Sequence, residues 1–496
     1  MPRVRNRQSP WYPIAIFGFI LIAVALLPGH RGWFDVGVYH GAINYWVHEG
    51  GQIYNYVRTD SVYGFTYPPF AAICMLPMAF VAWHPTIALH LALTVAASLF
   101  LLWLLVGPIV RREGWPRPYA FGMAVCLFAA LGPVRDTFLF GQINLLLMAL
   151  VYLDLMLLTG RHHRLAGIGI GLAAAIKLTP GIFLIYLLIT RRWRAALVAA
   201  VTALAATVLA AIAAPDATRT YFTELLWDTS RIGALDYVSN QSLMGMVSRL
   251  GAGGSAIWPC LVLLILFIWG YRVRRADVQT GFALTGVVAC LVSPITWVHH
   301  LVWLVPGMIL LADNKPTRRL AIEMHVLLVS CLVWLWSLDY TGVVGFLGSN
   351  AYVFVSLTML GVLPAPAPAL APAPALRPAW LTLPAWLTLP AWLTLPAWLT
   401  LPAWLTLPSW LTPPAWPALP RLGLGGLAPL GPPTEPDGGS GLRLRPLRAV
   451  WAEEAVSTSR FVHPASHLAA SAANHPAAQG WPTIQVLASG HARHLR

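Results

Sequence analysis

"LAGIGIGLAAAIKLTPGIFLIYLLI", Leu165 to Ile189, decides what kind of protein this is. The run is apolar except for one charge, Lys177, near its middle, and Thr179-Pro180 breaks it directly afterwards. Arginines stand at both ends, Arg161 and Arg164 before it and Arg191, Arg192 and Arg194 after it. Proline removes a helix donor and pushes the residue before it out of the helical region. The stretch therefore reads as two short helices that enter an apolar layer and return to the side they left. Lys177 lies at the far turn.

The rest of the chain extends that reading. It is 58% hydrophobic and only 10% charged, with mean hydropathy +0.67, too apolar to hide its side chains in a water-soluble core. Apolar runs of membrane-spanning length recur, as in a polytopic α-helical membrane protein. The first, Trp11 to Pro28, follows Arg3, Arg5 and Arg7; without a small-x-small cleavage site it reads as a retained helix. Further spans are expected at 86–110, 118–132, 140–159, 195–214, 256–271, 319–338 and 351–363. Two more flank "SPITWVHH", Ser293 to His300. With the two helices of the opening run this makes about 12 transmembrane helices with both ends inside. The net charge of +14 is nearly all arginine, Lys177 and Lys315 being the only lysines. The arginines cluster between spans on one side, the positive-inside pattern rather than a nucleic-acid footprint. The bias to Arg, Ala, Gly and Pro suggests a GC-rich bacterial genome, hence a multi-pass protein of the plasma membrane. Cys74, Cys126, Cys260, Cys290 and Cys331 lie singly in apolar segments and read as small core residues.

The chain divides in two. Residues 1–363 form the polytopic part; residues 364–496 are low in complexity, with "LPAWLT" repeated from Pro378 to Thr412. A proline every sixth residue forbids a helix, and an unpaired backbone cannot span a bilayer. This tail is expected to be disordered or weakly interfacial, or the product of a slipped reading frame, and to carry no catalysis.

The threading gathers unusual polar residues on the outer face, among them Asp35, Tyr67, Arg135, Gln142, Asn144, Lys177, Arg231, Asn240, Gln241, His299 and His300. Polar groups at membrane depth are costly and mark a site or pathway. They fall into four patterns: Asp35 followed by "FTYPPF" (Phe65 to Phe70); "FGQIN" (Phe140 to Asn144); "KLTP" (Lys177 to Pro180); and "SNQS" (Ser239 to Ser242) paired with "SPITWVHH". In this order and on this side, they resemble the GT-C glycosyltransferases, specifically glycosyltransferase family 87, over residues 10 to 363. Those are the polyprenol-phosphate-mannose-dependent α-1,2-mannosyltransferases of actinobacterial envelopes.

The resemblance implies an aspartate of the first extracytoplasmic loop as catalytic base, the position held by Asp35. It also implies a polyprenyl-phosphate-mannose donor lipid and a mannosylated glycolipid or polysaccharide as acceptor, joined by an α-(1→2) linkage outside the membrane. The chemistry agrees: a hydroxyl attacking an anomeric carbon needs a base, and the departing phosphate needs neutralisation. Asp35 is equally compatible with capping the helix "VGVYHGAINYWVH"; Glu49 and Asp60 are the other acids of that loop. His299, His300, Lys177, Arg135 and Arg231 are candidates for the phosphate. Helical geometry allows only one of the two adjacent histidines to face the site. Lys177 is also compatible with snorkelling to headgroups. Asn240 and Gln241 are candidates for acceptor hydroxyls, Asn144 and Gln142 for capping the span that follows them, and Tyr67 for the entry to a short helix stiffened by Pro68 and Pro69. Histidines at i, i+4, as a metal pair wants, are absent, so no metal is expected. With no nucleotide-sugar motif or Gly-rich phosphate loop, no cofactor is expected either. Membrane lipids are the remaining partners. Two rival readings remain: the same scaffold moving another polyprenyl-linked sugar such as arabinofuranose, and a lipid-carrier transporter or flippase. The one-sided polar cluster and the lack of an internal repeat favour the enzyme.

Overall fold

The computed structural model describes residues 32–364 except 60, 62, 161, 162, 229, 230, 252–255 and 338. The first apolar run, the tail beyond Pro364 and Asp60 lie outside the described residues. Among the described residues there are seventeen α-helices, shorter 3-10 turns and one isolated antiparallel bridge, Val57 with Gly64. In chain order the helices are α1 (Phe34–His48), α2 (Pro69–Met75), α3 (Trp83–Glu113), α4 (Arg117–Ala130), α5 (Gly132–Phe140) and α6 (Asn144–Thr159). Then come α7 (Ile168–Ile176), α8 (Ile182–Ile189), α9 (Trp193–Ala213), α10 (Pro215–Thr223), α11 (Leu243–Ser248) and α12 (Trp258–Val273). The last are α13 (Val278–Val292), α14 (Val305–Asp313), α15 (Arg318–Ser330), α16 (Gly342–Ser349) and α17 (Ala351–Val362).

Among the described residues only α3 and α9 are long and apolar enough to cross a membrane; counting the bent pairs α4–α5 (74°) and α16–α17 (62°) as one span each makes four. Most of the other expected spans are apolar helices of 10–17 residues; the one expected at 319–338 is instead α15 followed by a 3-10 helix, Leu332–Trp336, with the break at left-handed Cys331. At 1.5 Å per residue, 15 residues reach only about 22 Å, short of the ~30 Å hydrocarbon layer. The breaks have local causes. Pro133 enters α5 just after Leu131 leaves helical geometry, and Pro180 sits in the 3-10 turn between α7 and α8. A 3-10 helix, Val298–Leu304, precedes α14. Broken helices are tolerated at membrane depth where their freed backbone lines a cavity.

The packing is that of a membrane protein. On α9 the large side chains Leu197, Leu204 and Ile212 are exposed, whereas Ala195, Ala196, Ala199, Ala206 and Ala210 are buried. This inverts the pattern of a water-soluble helix, and small residues inside let helices approach closely in lipid. On α7 a Cβ at Gly169 would lie 2.1 Å from Leu150 O, and one at Gly171 2.5 Å from Ala199 O, so α7 is pressed between α6 and α9. From Thr280 to Leu291, α13 is buried on every face and forms the centre of the core. Of the five cysteines, Cys126 and Cys290 are buried as expected, Cys331 is half-buried, and Cys74 and Cys260 sit on exposed apolar faces.

Candidate active site

A cavity of about 390 Å³ is bounded by α1, the loop carrying Tyr67, the α5–α6 turn, the α7–α8 break and the segment around His299. Its size suits a small-molecule site. The chemical groups reach it from helix ends, loops and breaks in helices.

Asp35 lies in the first turn of α1, after Trp33, whose backbone is left-handed at φ 48°. Trp33 is the N-cap, so Asp35 does not cap the helix; its half-buried carboxyl faces the cavity instead. It accepts a hydrogen bond from the Gln142 side chain. Gly141 makes that possible. It ends α5 at φ +72°, and any Cβ there would lie 2.2 Å from Val36, so only glycine lets this turn press Gln142 against α1. The Trp33 N–H donates to Leu139 O at 3.2 Å and clamps the two elements together.

From Gln142 the network continues inward. The Tyr67 hydroxyl donates to Gln142 Oε1 at 3.0 Å and lies 3.0 Å from the Tyr39 hydroxyl. Tyr54 fixes the backbone of Tyr67 by donating to its carbonyl at 2.8 Å. As expected, Pro68 and Pro69 start a short helix, α2, directly behind. Lys177 leaves α7 in extended geometry just before Pro180, and its amine points into the cavity. Nζ lies 3.0 Å from Asn144 Oδ1, 3.1 Å from His300 Nε2 and 3.5 Å from the Tyr67 hydroxyl. Lys177 therefore does not snorkel, and neither Asn144 nor Gln142 acts as a cap for α6, whose N-cap is Ile143.

Both histidines line the cavity, contrary to the one-of-two expectation for an α-helix. They lie in a 3-10 segment, and their rings stand 4.6 Å apart at 89°. His299 packs on Phe140 at 5.5 Å. Its carbonyl accepts from Thr137 Oγ1 and Asn144 Nδ2, at 3.2 and 3.4 Å, and its buried Nε2 has no hydrogen-bond partner.

Burial dominates the electrostatics. It pushes Asp35 up to about 7, against the Gln142 hydrogen bond and the charges of Lys177 and Arg58. It brings Lys177 down to about 8, with Asp35 pulling the other way. Both histidines are held well below the ordinary value by burial and then by the Lys177 charge, and so stay neutral. A carboxylate near neutrality opposite an amine can take a proton from a hydroxyl while the amine meets an anion.

Of the remaining candidates, only Arg231 lines the cavity. Asn240 and Gln241 are fully buried and do not line the cavity. Asn240 donates to Leu235 O and Pro294 O and accepts from Thr296 N; Gln241 donates to Val238 O and Ser349 O and accepts from Tyr352 N. The Asn240 side chain stitches "SNQS" to the segment that ends in His299 and His300, and the Gln241 side chain stitches it to the junction of α16 and α17. Arg135 donates to Val329 O at 3.0 Å, away from the cavity. Arg231 does line it and donates to Tyr54 O at 2.7 Å. Glu49 is exposed at the end of α1.

Sequence reasoning gave one residue another role and missed a second. Gln142, expected as a cap, is the direct partner of Asp35. Arg249 is buried, and its guanidinium gathers the carbonyls of Asp236, Tyr237 and Asn240 with Asn350 Oδ1. No sequence pattern marks it.

Comparison with known proteins identifies the family. The model of glycosyltransferase family 87 matches residues 65–294, which includes Tyr67, Gln142, Asn144 and Lys177 but begins after Asp35 and ends before His299. A polyprenol-phosphate-mannose-dependent alpha-(1-2)-phosphatidylinositol mannoside mannosyltransferase of Mycobacterium tuberculosis is 31% identical, over 61% of this chain and 77% of its own. A second from that species, named for phosphatidylinositol pentamannoside, is 31% identical over 64% of this chain and 75% of its own. An alpha-(1->3)-arabinofuranosyltransferase, also from Mycobacterium tuberculosis, matches less of its length: 31% identity over 52% of this chain and 58% of its own. No solved structure is significantly similar. With more than three quarters of a relative covered at this identity, the chain belongs to glycosyltransferase family 87 and is a membrane-protein glycosyltransferase.

Proposed function

We propose that the chain moves mannose from a polyprenyl-phosphate carrier to a lipid-linked or polysaccharide mannoside on the extracytoplasmic side of the plasma membrane. The observation that carries this reading is the placing of Asp35 and Lys177 on one cavity, joined through Gln142 and Tyr67. The names of the two mannosyltransferase relatives support mannose over arabinofuranose as the sugar.

Asp35 takes the proton of the acceptor hydroxyl as its oxygen attacks the anomeric carbon. The bond from that carbon to the phosphate oxygen breaks, and the lipid phosphate leaves with its electron pair. Lys177 and the His300 ring offset the charge that develops there. Attack from the face opposite the phosphate inverts a β-linked donor to an α linkage, at the 2-position by family likeness. The orphaned Nε2 of His299 suits a sugar hydroxyl. Asn240 acts indirectly, by holding the histidine segment. The carrier chain enters sideways between helices.

A labelled polyprenyl-phosphate-mannose assay in membranes tests this. Asp35→Asn keeps the shape and the contact with Gln142 but removes the base, so turnover should fall roughly 10²-fold or more while donor binding persists. Near-normal transfer by this variant would remove Asp35 from the role. Transfer only from a polyprenyl-phosphate-arabinose donor would replace the sugar.

A further inference from the structure

The hydrogen bonds around Lys177 are satisfied by one protonation state. His300 Nδ1 accepts from the backbone N–H of Trp297 at 3.1 Å. A ring nitrogen that accepts carries no proton, so the imidazole proton is on Nε2. Nε2 lies 3.1 Å from Lys177 Nζ. Turning the ring over would set carbons against both partners and lose both contacts. An ammonium has three N–H groups and no lone pair, so it would meet this N–H donor to donor. A neutral amine has two N–H groups and one lone pair, and the surroundings match it. Asn144 Oδ1 and the Tyr67 hydroxyl accept at 3.0 and 3.5 Å, and His300 Nε2–H donates to the lone pair.

The titratable groups facing the amine come from every wall. Asp35 on α1 is the larger of the two groups that favour the ammonium, Cys290 being the other. The Tyr67 hydroxyl has its proton engaged by Gln142. Cys290 on α13 adjoins the amine, and His299 and His300 are neutral. Burial already lowers Lys177 to about 8, and a hydrogen bond donated to its neutral form lowers it further. A second space of about 10 Å³ adjoins Lys177, Asn144 and His300, roughly the room one water needs.

We propose that Lys177 rests as a neutral amine and takes up one proton from solvent when a polyprenyl phosphate enters, while His300 Nε2–H turns from Lys177 to a phosphate oxygen. One proton is gained on Nζ and no other bond changes. The buried cation thus exists only while its anion is present, and product release returns the proton. This rests on the reading of Lys177 and His300 as the phosphate site.

The test uses the scarcity of lysine: Lys177 and Lys315 are the only two in the chain. The full-length protein in detergent is acetylated competitively across the neutral to alkaline range, and each lysine is quantified by mass spectrometry, with Lys315 reporting reagent strength. The Lys177 midpoint should lie at or below about 8, roughly two units under an ordinary lysine. His300→Ala removes the opposing N–H and should raise that midpoint by about one unit; Asp35→Asn should lower it. A polyprenyl monophosphate should raise it or block acetylation, whereas inorganic phosphate at the same concentration should do less. Calorimetry of polyprenyl monophosphate binding near pH 9, in buffers of different ionisation heat, should show uptake of about one proton, absent in Lys177→Arg, whose guanidinium is always charged. An ordinary lysine midpoint unmoved by His300→Ala, or binding without proton uptake, overturns the inference. In that case protection by polyprenyl monophosphate would leave the phosphate-site reading standing, and lack of protection would remove both.

Discussion

The roles proposed for Asp35 and Lys177 rest on what surrounds them, and their ionisation makes a prediction. Burial holds Asp35 at about 7 and Lys177 at about 8. The base must be ionised, so kcat/KM should rise as pH climbs through about 7; the amine must take up a proton to meet phosphate, so it should fall as pH passes the Lys177 midpoint, at or below about 8. A narrow bell in kcat/KM is expected, its two limbs belonging to the coupled pair. Asp35→Asn should abolish the acidic limb of whatever activity remains. A flat profile across this range would separate both groups from the chemistry. Asn240 makes a contrasting case. Its side chain serves Leu235 O, Pro294 O and Thr296 N, all buried. Asn240→Ala should cost about 1–3 kcal/mol of stability, read as a lower thermal midpoint in detergent, through the unsatisfied groups it leaves. A loss of acceptor affinity at unchanged thermal midpoint would instead make Asn240 a sugar contact. The acid in the first outer loop was legible as a candidate from residue type and position. The fate of the two amides was not, because a loop asparagine that binds sugar and one that binds backbone carbonyls look alike in sequence.

At the scale of elements, the breaks matter more than the helices. The Thr179-Pro180 break, plain in the sequence, places Lys177; the Gly141 turn places Gln142; a 3-10 segment brings both histidines to one wall. The third could not be foreseen, since an α-helical wheel sends adjacent histidines apart and the sequence does not announce the change of helix type. The glycines of α7 are a second example. Their spacing was visible, but the backbones of α6 and α9 lying against them were not. Gly171→Leu would drive its side chain into Ala199 O and Thr202. A destabilisation of roughly 1–3 kcal/mol or more is expected, measured as a fall in thermal midpoint together with loss of activity, because α7 carries Lys177. Gly181, where a Cβ meets nothing within 4 Å, should accept alanine with little change in either.

For the whole molecule, the threading predicts which loops face out. In a background with Cys74 and Cys260 replaced, a cysteine at the exposed Glu49 should react with an impermeant thiol reagent added to intact cells, and one at the exposed Trp193 should not. Labelling at 193 alone would invert the topology and put the site in the cytoplasm. The sequence by itself determined that the chain is an all-helical membrane protein, which end of each apolar run carries arginine, and which four polar patterns share a side. These follow from composition and from the cost of bare polar groups in hydrocarbon, which act on every residue locally. Only the tertiary structure decided how many runs are straight: apolar content shows that a segment avoids water, not whether it crosses the membrane or bends to line a cavity. Only the tertiary structure, too, joined Asp35 to Gln142 and Lys177 to His300. Those pairs are separated by more than 100 residues, and their protonation depends on burial and on single hydrogen bonds, which exist only once the helices have packed.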